Sequence, residues 1–151
     1  MAYSSLEQSD INLSFWEACK NGDLDTFNAL LPDASLTTPV KGCTPIIAAI
    51  QFRKPTIYLR LLADSRTDIN SVNTTSGGHT VLHWAVMCGN ILAIEAICSM
   101  PGVDLDIKNE QGETAIMLAL MHEEMHDMIV GESARLGLGE RMGYPGSGLK
   151  V

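Results

Sequence analysis

Three things are scarce in this chain: aromatic rings, positive charge and long apolar runs. Two Trp, three Tyr and three Phe are spread over 151 residues. The core must therefore be aliphatic, assembled from Ala, Leu, Ile, Val and eight Met. Lys and Arg number 10 against 18 Asp and Glu, a formal net charge of -8. Nucleic-acid backbones are bound through clustered Lys and Arg, so this balance disfavours such a partner. It disfavours anionic membrane surfaces for the same reason and permits a basic protein partner. The longest apolar runs fall well short of the roughly 20 residues that a membrane-spanning helix needs. The opening "MAYSSLEQSD" has no basic stretch leading into an apolar one, so it does not read as a secretory signal. The four cysteines, Cys19, Cys43, Cys88 and Cys98, include no Cys-x-x-Cys pair. They read as reduced thiols, with a cytoplasmic setting expected and a nuclear or host-cell cytosol compatible.

What is present is a globular balance, 46% hydrophobic and 19% charged, in a chain long enough for one domain with a core. The sequence also repeats. "GCTPIIAAI" (42–50), "GHTVLHWAV" (78–86) and "GETAIMLAL" (112–120) each read Gly, any residue, Thr, then apolar positions around a fixed Ala. An earlier copy lacks the Thr: "FWEACKNGDLDTFNALL" (15–31) matches "LHWAVMCGNILAIEAIC" (82–98). Periods of this size mark stacked repeats, which cannot bury their apolar faces singly.

One unit can be read physically. Thr44-Pro45 is a helix N-cap followed by a favoured first helical residue. The recurring Ala permits close approach of helices. Gly22 and Gly89 fit a left-handed turn ending a first helix. A second helix follows, with Ile91, Ile94, Ile97 and Cys98, or Leu24, Phe27, Leu30 and Leu31, at helical spacing for a buried face. Ser14 and Glu17 have capping-box spacing, which places a helix start at Ser14.

This pattern resembles the ankyrin repeat. The family's Thr-Pro-Leu-His-x-Ala signature is matched by Thr44-Pro45-Ile46-Ile47-Ala48-Ala49 and by Thr80-Val81-Leu82-His83-Trp84-Ala85. The resemblance implies an all-α, helix-turn-helix repeat solenoid over residues 11–137. Its repeats fall at about 11–38, 39–74, 75–108 and 109–137, between a flexible 1–10 and a flexible Gly-rich 138–151. It also implies that His83 is structural, its imidazole tying Thr80 to neighbouring backbone, and that Cys43 and Cys88 face solvent. Asp68-Ile69-Asn70 matches a motif hydroxylated on Asn in some animal members; the plainer reading is that Asn70 bonds its own turn.

"MHEEMH" (121–126) contains an H-E-x-x-H match, the zinc-binding pattern of many metalloproteases. On a continuous helix His122 and His126 would share a face, and Glu123 would serve as general base. Glu132 stands where one zincin class places its last ligand, but that class needs Gly where this chain has Ile129. In the repeat register, Glu123-Glu124 overlie the turn between two helices, which separates the two histidines. A structural role is therefore expected, with a zinc-dependent hydrolase as the alternative. The Met117, Met121, Met125 and Met128 series has helical spacing; core filling is the default and an exposed Met patch the sharper reading.

No cluster here is organised for chemistry, and no cofactor is implied. The resemblance implies a non-enzymatic protein-binding module, expected to be a monomer, with neither nucleic acid nor membrane as partner. An adaptor, an inhibitor and a bacterial effector all fit that description. The family pattern places contacts at turn residues Lys41, Cys43, Ser76, His79, Glu110, Gln111 and Glu113. From the ends of the first helices it adds Lys20, Asn21, Gln51, Phe52, Met87, Cys88, Met121 and His122. Phe52, Met87 and Met121 would form an apolar strip, with lysines toward one end and glutamates toward the other.

Overall fold

The computed structural model describes residues 5–73, 77–120 and 131. Every regular element among them is a helix: α1 (Ser5–Asn21), α2 (Leu24–Leu30), α3 (Pro45–Gln51), α4 (Pro55–Ala63), α5 (Val81–Met87), α6 (Ile91–Cys98) and α7 (Ala115–Ala119). The chain divides into two compact units, Met1–Asp68 and Ile69–Val151.

In the first unit, α1 packs on α2 and α3, and α3 packs on α4. α1 begins at Ser5, so Ser14 is an interior helical residue and the expected capping box is absent. The helix extends N-terminally because tertiary bonds hold it there. Gln8 Nε2 donates to the Asp33 carbonyl at 2.9 Å, and the buried Asn12 Oδ1 accepts from Ser35 N at 2.9 Å. Phe15 and Phe27 stack with centroids 5.2 Å apart, joining α1 to α2. Of the predicted face on α2, Phe27 alone is buried; Leu24 is exposed and Leu30 and Leu31 are half-buried. At seven residues, α2 makes only about two turns, so a single large ring dominates its inner side.

The two helices of a repeat are joined in the same way three times. The amide after the turn residue bonds back to the fixed alanine or its neighbour in register: Asp23 N to Ala18 O, Lys54 N to Ala49 O, and Asn90 N to Ala85 O, at 3.0, 2.8 and 3.0 Å. Gly22 and Gly89 take φ of 77° and 63°, the left-handed values expected of them. In the second repeat the same place is held by Arg53, at φ 57°, a conformation that a Cβ disfavours. Asp23 and Asn90 then cap the second helices through Thr26 N and Ala93 N. α4 starts on Pro55 instead, which supplies a preset φ and lacks the amide that would need a partner.

In the second unit, α5 packs on both α6 and α7. Ala85, Ile94, Ile97 and Ala119 are fully enclosed, as are Ala49 and Ile50 in the first unit. Ile91 is only half-buried; Ala93 takes the inward position expected of it. Each fully buried Ile among them contributes about 1.5–3 kcal/mol. Met117 is 48% exposed, which overturns core filling at that position. Met121, Met125 and Met128 lie outside the described residues.

Candidate functional site

The second, third and fourth repeats each present a turn before the first helix, and the turns differ in their means of closure. Val40 and Cys43 exchange backbone bonds of 2.8 and 3.0 Å across Lys41 and Gly42, which have φ of 53° and 81°. That pair of positive φ values defines a tight hairpin turn and projects Lys41 into solvent. In the second unit Asn73 N bonds His79 O at 2.9 Å, and Gly77 and Gly78 take φ of 84° and 72°. The next turn is closed by Asn109, whose Oδ1 accepts from Gln111 N and Glu113 N at 3.0 and 2.9 Å. Asn109 Nδ2 also donates to the Glu113 carboxylate at 3.2 Å, so Glu113 is partly committed to its own turn.

The buried asparagines Asn12, Asn73, Asn90 and Asn109 escaped sequence reasoning. Asn90 and Asn109 carried a legible signal, since one precedes a helical pattern and the other opens a Gly-containing turn. Asn12 and Asn73 carried none. Asn70 bonds beyond its own turn: Nδ2 donates to the Gly102 carbonyl at 2.9 Å and Oδ1 accepts from Asp104 N at 2.8 Å. It staples successive turns of the second unit.

His83 is structural. Thr80 N–H donates to His83 Nδ1 at 3.2 Å, and the Thr80 hydroxyl lies 2.7 Å from the same nitrogen. His83 N–H donates back to Thr80 Oγ1 at 3.3 Å, completing a capping box for α5. With Nδ1 accepting, the proton sits on Nε2, which donates to the Glu113 carbonyl at 2.9 Å. Desolvation holds the His83 pKa below its ordinary value, against an upward pull from that carbonyl. The second repeat has Ile47 at this place, and Thr44 makes no side-chain cap bond.

The expected contact residues divide by exposure. Asn21, Lys41, Gln51, Phe52, Met87, Glu110 and Gln111 are exposed; Lys20, Cys43, His79, Cys88 and Glu113 are half-buried. Ser76, Met121 and His122 lie outside the described residues. So do His126 and Glu132, the other members of the alternative zinc set. Among the described residues no group of His, Cys, Asp and Glu is disposed to hold a metal ion. No described helix is long and apolar enough to cross a membrane.

Within the first unit the structure gathers Trp16 and Lys20 of α1, Lys41 of the turn, and Phe52 just beyond α3. The Lys20 ammonium lies 5.8 Å from the Trp16 centroid and 5.1 Å from that of Phe52. The Lys41 ammonium lies 5.3 Å from the Trp16 centroid. In the second unit His79 sits edge-on to Trp84, centroids 5.7 Å apart, and tilted to His83 at 5.6 Å. That ring cluster fixes His79 over its turn rather than leaving it extended.

The four cysteines are unbridged thiols. Cys19 and Cys98 are buried, and burial pushes the Cys19 pKa up to about 12, which removes it as a nucleophile. Cys43 and Cys88 are half-buried rather than fully facing solvent.

A family model of ankyrin repeats, three copies, matches residues 15–109. The "I-Kappa-B like protein C2" of Microplitis demolitor bracovirus is 31% identical over 128 residues, covering 78% of this chain and 70% of that protein. Palmitoyltransferase ZDHHC13 of Homo sapiens is 32% identical over 89 residues, covering 57% of this chain and 14% of the enzyme. The Mus musculus protein of that name is 33% identical over 86 residues, covering 55% of this chain and 13% of its own length. The chain thus spans only a small part of the palmitoyltransferases that it matches. Repeat period, capped helix pairs and these matches agree, and the chain belongs to the ankyrin repeat family, the all-α helix-turn-helix repeat solenoids.

Proposed function

We propose that the chain is a non-enzymatic protein-binding module that engages its partner through turn tips and the ends of first helices. The observation that carries this reading is the exposure of two large apolar side chains at adjacent register positions. Phe52, just past α3, is 43% exposed, and Met87, the last residue of α5, is 44% exposed. Neither position is needed to close a core. Exposed apolar side chains set among polar turn residues suit hot-spot contacts, where burial supplies affinity and nearby charge sets orientation. Each compact unit offers one of the two. In the second unit, exposed Glu110 and the partly committed Glu113 favour a partner that presents a basic group there.

Membership of a family of interaction repeats supports this reading, as does likeness to a viral protein named as I-Kappa-B like. Adaptor, inhibitor by occlusion of a partner surface, and bacterial effector are three forms of the same activity. A monomer in the cytoplasm is the simplest setting. The test is a pull-down to identify the partner, followed by calorimetric titration of wild type and of the combined Phe52→Ala, Met87→Ala variant. Loss of about 30-fold or more in affinity is expected, the scale of a hot-spot truncation. The urea unfolding midpoint should stay unchanged. Retained affinity would move the site elsewhere.

A further inference from the structure

In a chain of net charge -8, two of its ten basic side chains converge on one indole. Lys20 comes from the last turn of α1 and Lys41 from the turn before α3, and both ammonium groups lie within 6 Å of the Trp16 centroid. Trp16 is 5% exposed, and its indole N–H is buried with no hydrogen-bond partner. Lys41 is held at φ 53°, in the left-handed region that a side chain rarely adopts. The acid nearest to hand is Glu17, whose Oε1 is 3.9 Å from Lys41 Nζ, with the two side chains 52% and 61% exposed. A pair that long and that wet is weak. Lys20 makes no ion pair among the described residues.

We propose that Trp16, Lys20, Lys41 and Phe52 form a receptor for an acidic segment of a partner protein. A carboxylate is seated by the two lysines, and an adjacent apolar side chain of the segment lies on Phe52. Charge complementarity selects this occupant. Two ammonium groups beside one ring repel each other, and an anion bound next to them offsets that repulsion. Contact with the indole holds each cation near Trp16 before the partner arrives, so less side-chain freedom is lost on binding. Trp16 also forms an apolar floor, which lowers the local dielectric beneath the incoming charge. Glu17 is then a built-in competitor for Lys41, displaced by the partner's carboxylate. The receptor rests on the reading of the chain as a protein-binding module and specifies the partner's chemistry at the first unit.

The test uses a fluorescein-labelled peptide of three Glu-Glu-Leu repeats and its Gln-Gln-Leu counterpart, both amidated, with anisotropy read at low and at moderate salt. The overall negative charge of the chain repels the Glu peptide, so a preference for it over the Gln peptide reports a local site. The Glu peptide is expected to bind more tightly, and added salt to narrow the gap. Lys20→Ala with Lys41→Ala should weaken it by about 10-fold, the reach of two exposed ion pairs. Lys108→Ala, at an exposed lysine of the second unit, removes the same kind of charge and should leave binding unchanged. Glu17→Gln should strengthen binding by about twofold. At position 41 Ala and Lys bear the same left-handed strain, and urea midpoints verify that each variant is folded. Failure of the Glu peptide to bind, equal binding of the two peptides, or an effect of the lysine pair no larger than that of Lys108→Ala would overturn the proposal. The Phe52 and Met87 titration against the native partner is scored separately. A loss there with no peptide preference here leaves the binding module standing without this receptor. A lysine-dependent preference here with no loss there upholds the lysine seat for an acidic segment and overturns Phe52 and Met87 as the native partner's apolar contacts.

Discussion

His83 is the residue whose removal should do most damage for its size. Its side chain is 1% exposed and makes two kinds of bond: it accepts from Thr80 N–H and donates to the Glu113 carbonyl. His83→Ala affects the two partners differently. The Glu113 carbonyl also accepts from Asn109 N at 2.9 Å and stays satisfied. The Thr80 amide has no such reserve, and Thr80 is 4% exposed. An orphaned buried N–H costs about 1–3 kcal/mol. The emptied ring volume adds about 1–2 kcal/mol after partial relaxation. The sum, about 2–5 kcal/mol, is a large fraction of the roughly 5–15 kcal/mol that holds a domain folded. His83→Gln restores an acceptor at the third helical position, where Gln completes a capping box, and should recover about half of the loss. Urea unfolding followed by far-UV circular dichroism at pH 7.5 reads both variants. A cost for His83→Ala below about 0.5 kcal/mol would mean that the amide finds another partner, and would refute the reasoning. The pH dependence supplies an independent check. Burial lowers the folded-state pKa of His83 below the usual 6.5, so below that pH the unfolded chain takes up a proton that the native chain refuses. The stabilisation is therefore complete above pH 6.5 and is lost as pH falls through the folded value. Wild type should lose more stability between pH 7 and pH 5 than His83→Gln does; equal slopes would contradict the assignment.

Arg53→Gly should stabilise the chain by about 0.5 kcal/mol, since relief of left-handed strain exceeds the added freedom of the unfolded chain and the loss of the side chain's own contacts; the urea midpoint checks it, and a drop would show that those contacts dominate. Ala85→Leu, at a position with no exposed surface, should cost about 3 kcal/mol or more through overpacking, whereas Ala63→Leu on the exposed end of α4 should be nearly silent in the same measurement. Asn90→Ala removes the acceptor for Ala93 N and should cost about 1 kcal/mol, seen as faster amide exchange in the first turn of α6. Asn70→Ala should raise exchange at Asp104 N, its bonded amide, with little change at Asp106 N, which Asp104 itself caps.

The sequence by itself determined the repeat. A Gly-x-Thr start, an Ala at fixed register and a turn residue before the second helix are each dictated by local backbone needs, and local needs are written in local residues. The buried alanines, the left-handed Gly22 and Gly89 and the cap at Thr80 all stand where that pattern put them. The exposure of Phe52 and Met87 was legible too, because register fixes which side of a helix end a residue occupies. Tertiary structure decided what depends on partners far along the chain. Ser14 had the spacing of a cap, yet bonds from Gln8 and Asn12 to residues 33 and 35 carry α1 back to Ser5. Asn70 has the residue type to serve its own turn, but its bonds to a carbonyl and an amide of the next turn came only with the fold. Lys20 and Lys41 stand 21 positions apart in sequence and both reach the Trp16 ring because α1 packs on α3 beside the turn that carries Lys41. Periodicity records what one segment needs from its own backbone. Only packing decides which distant charges come to lie beside one aromatic ring.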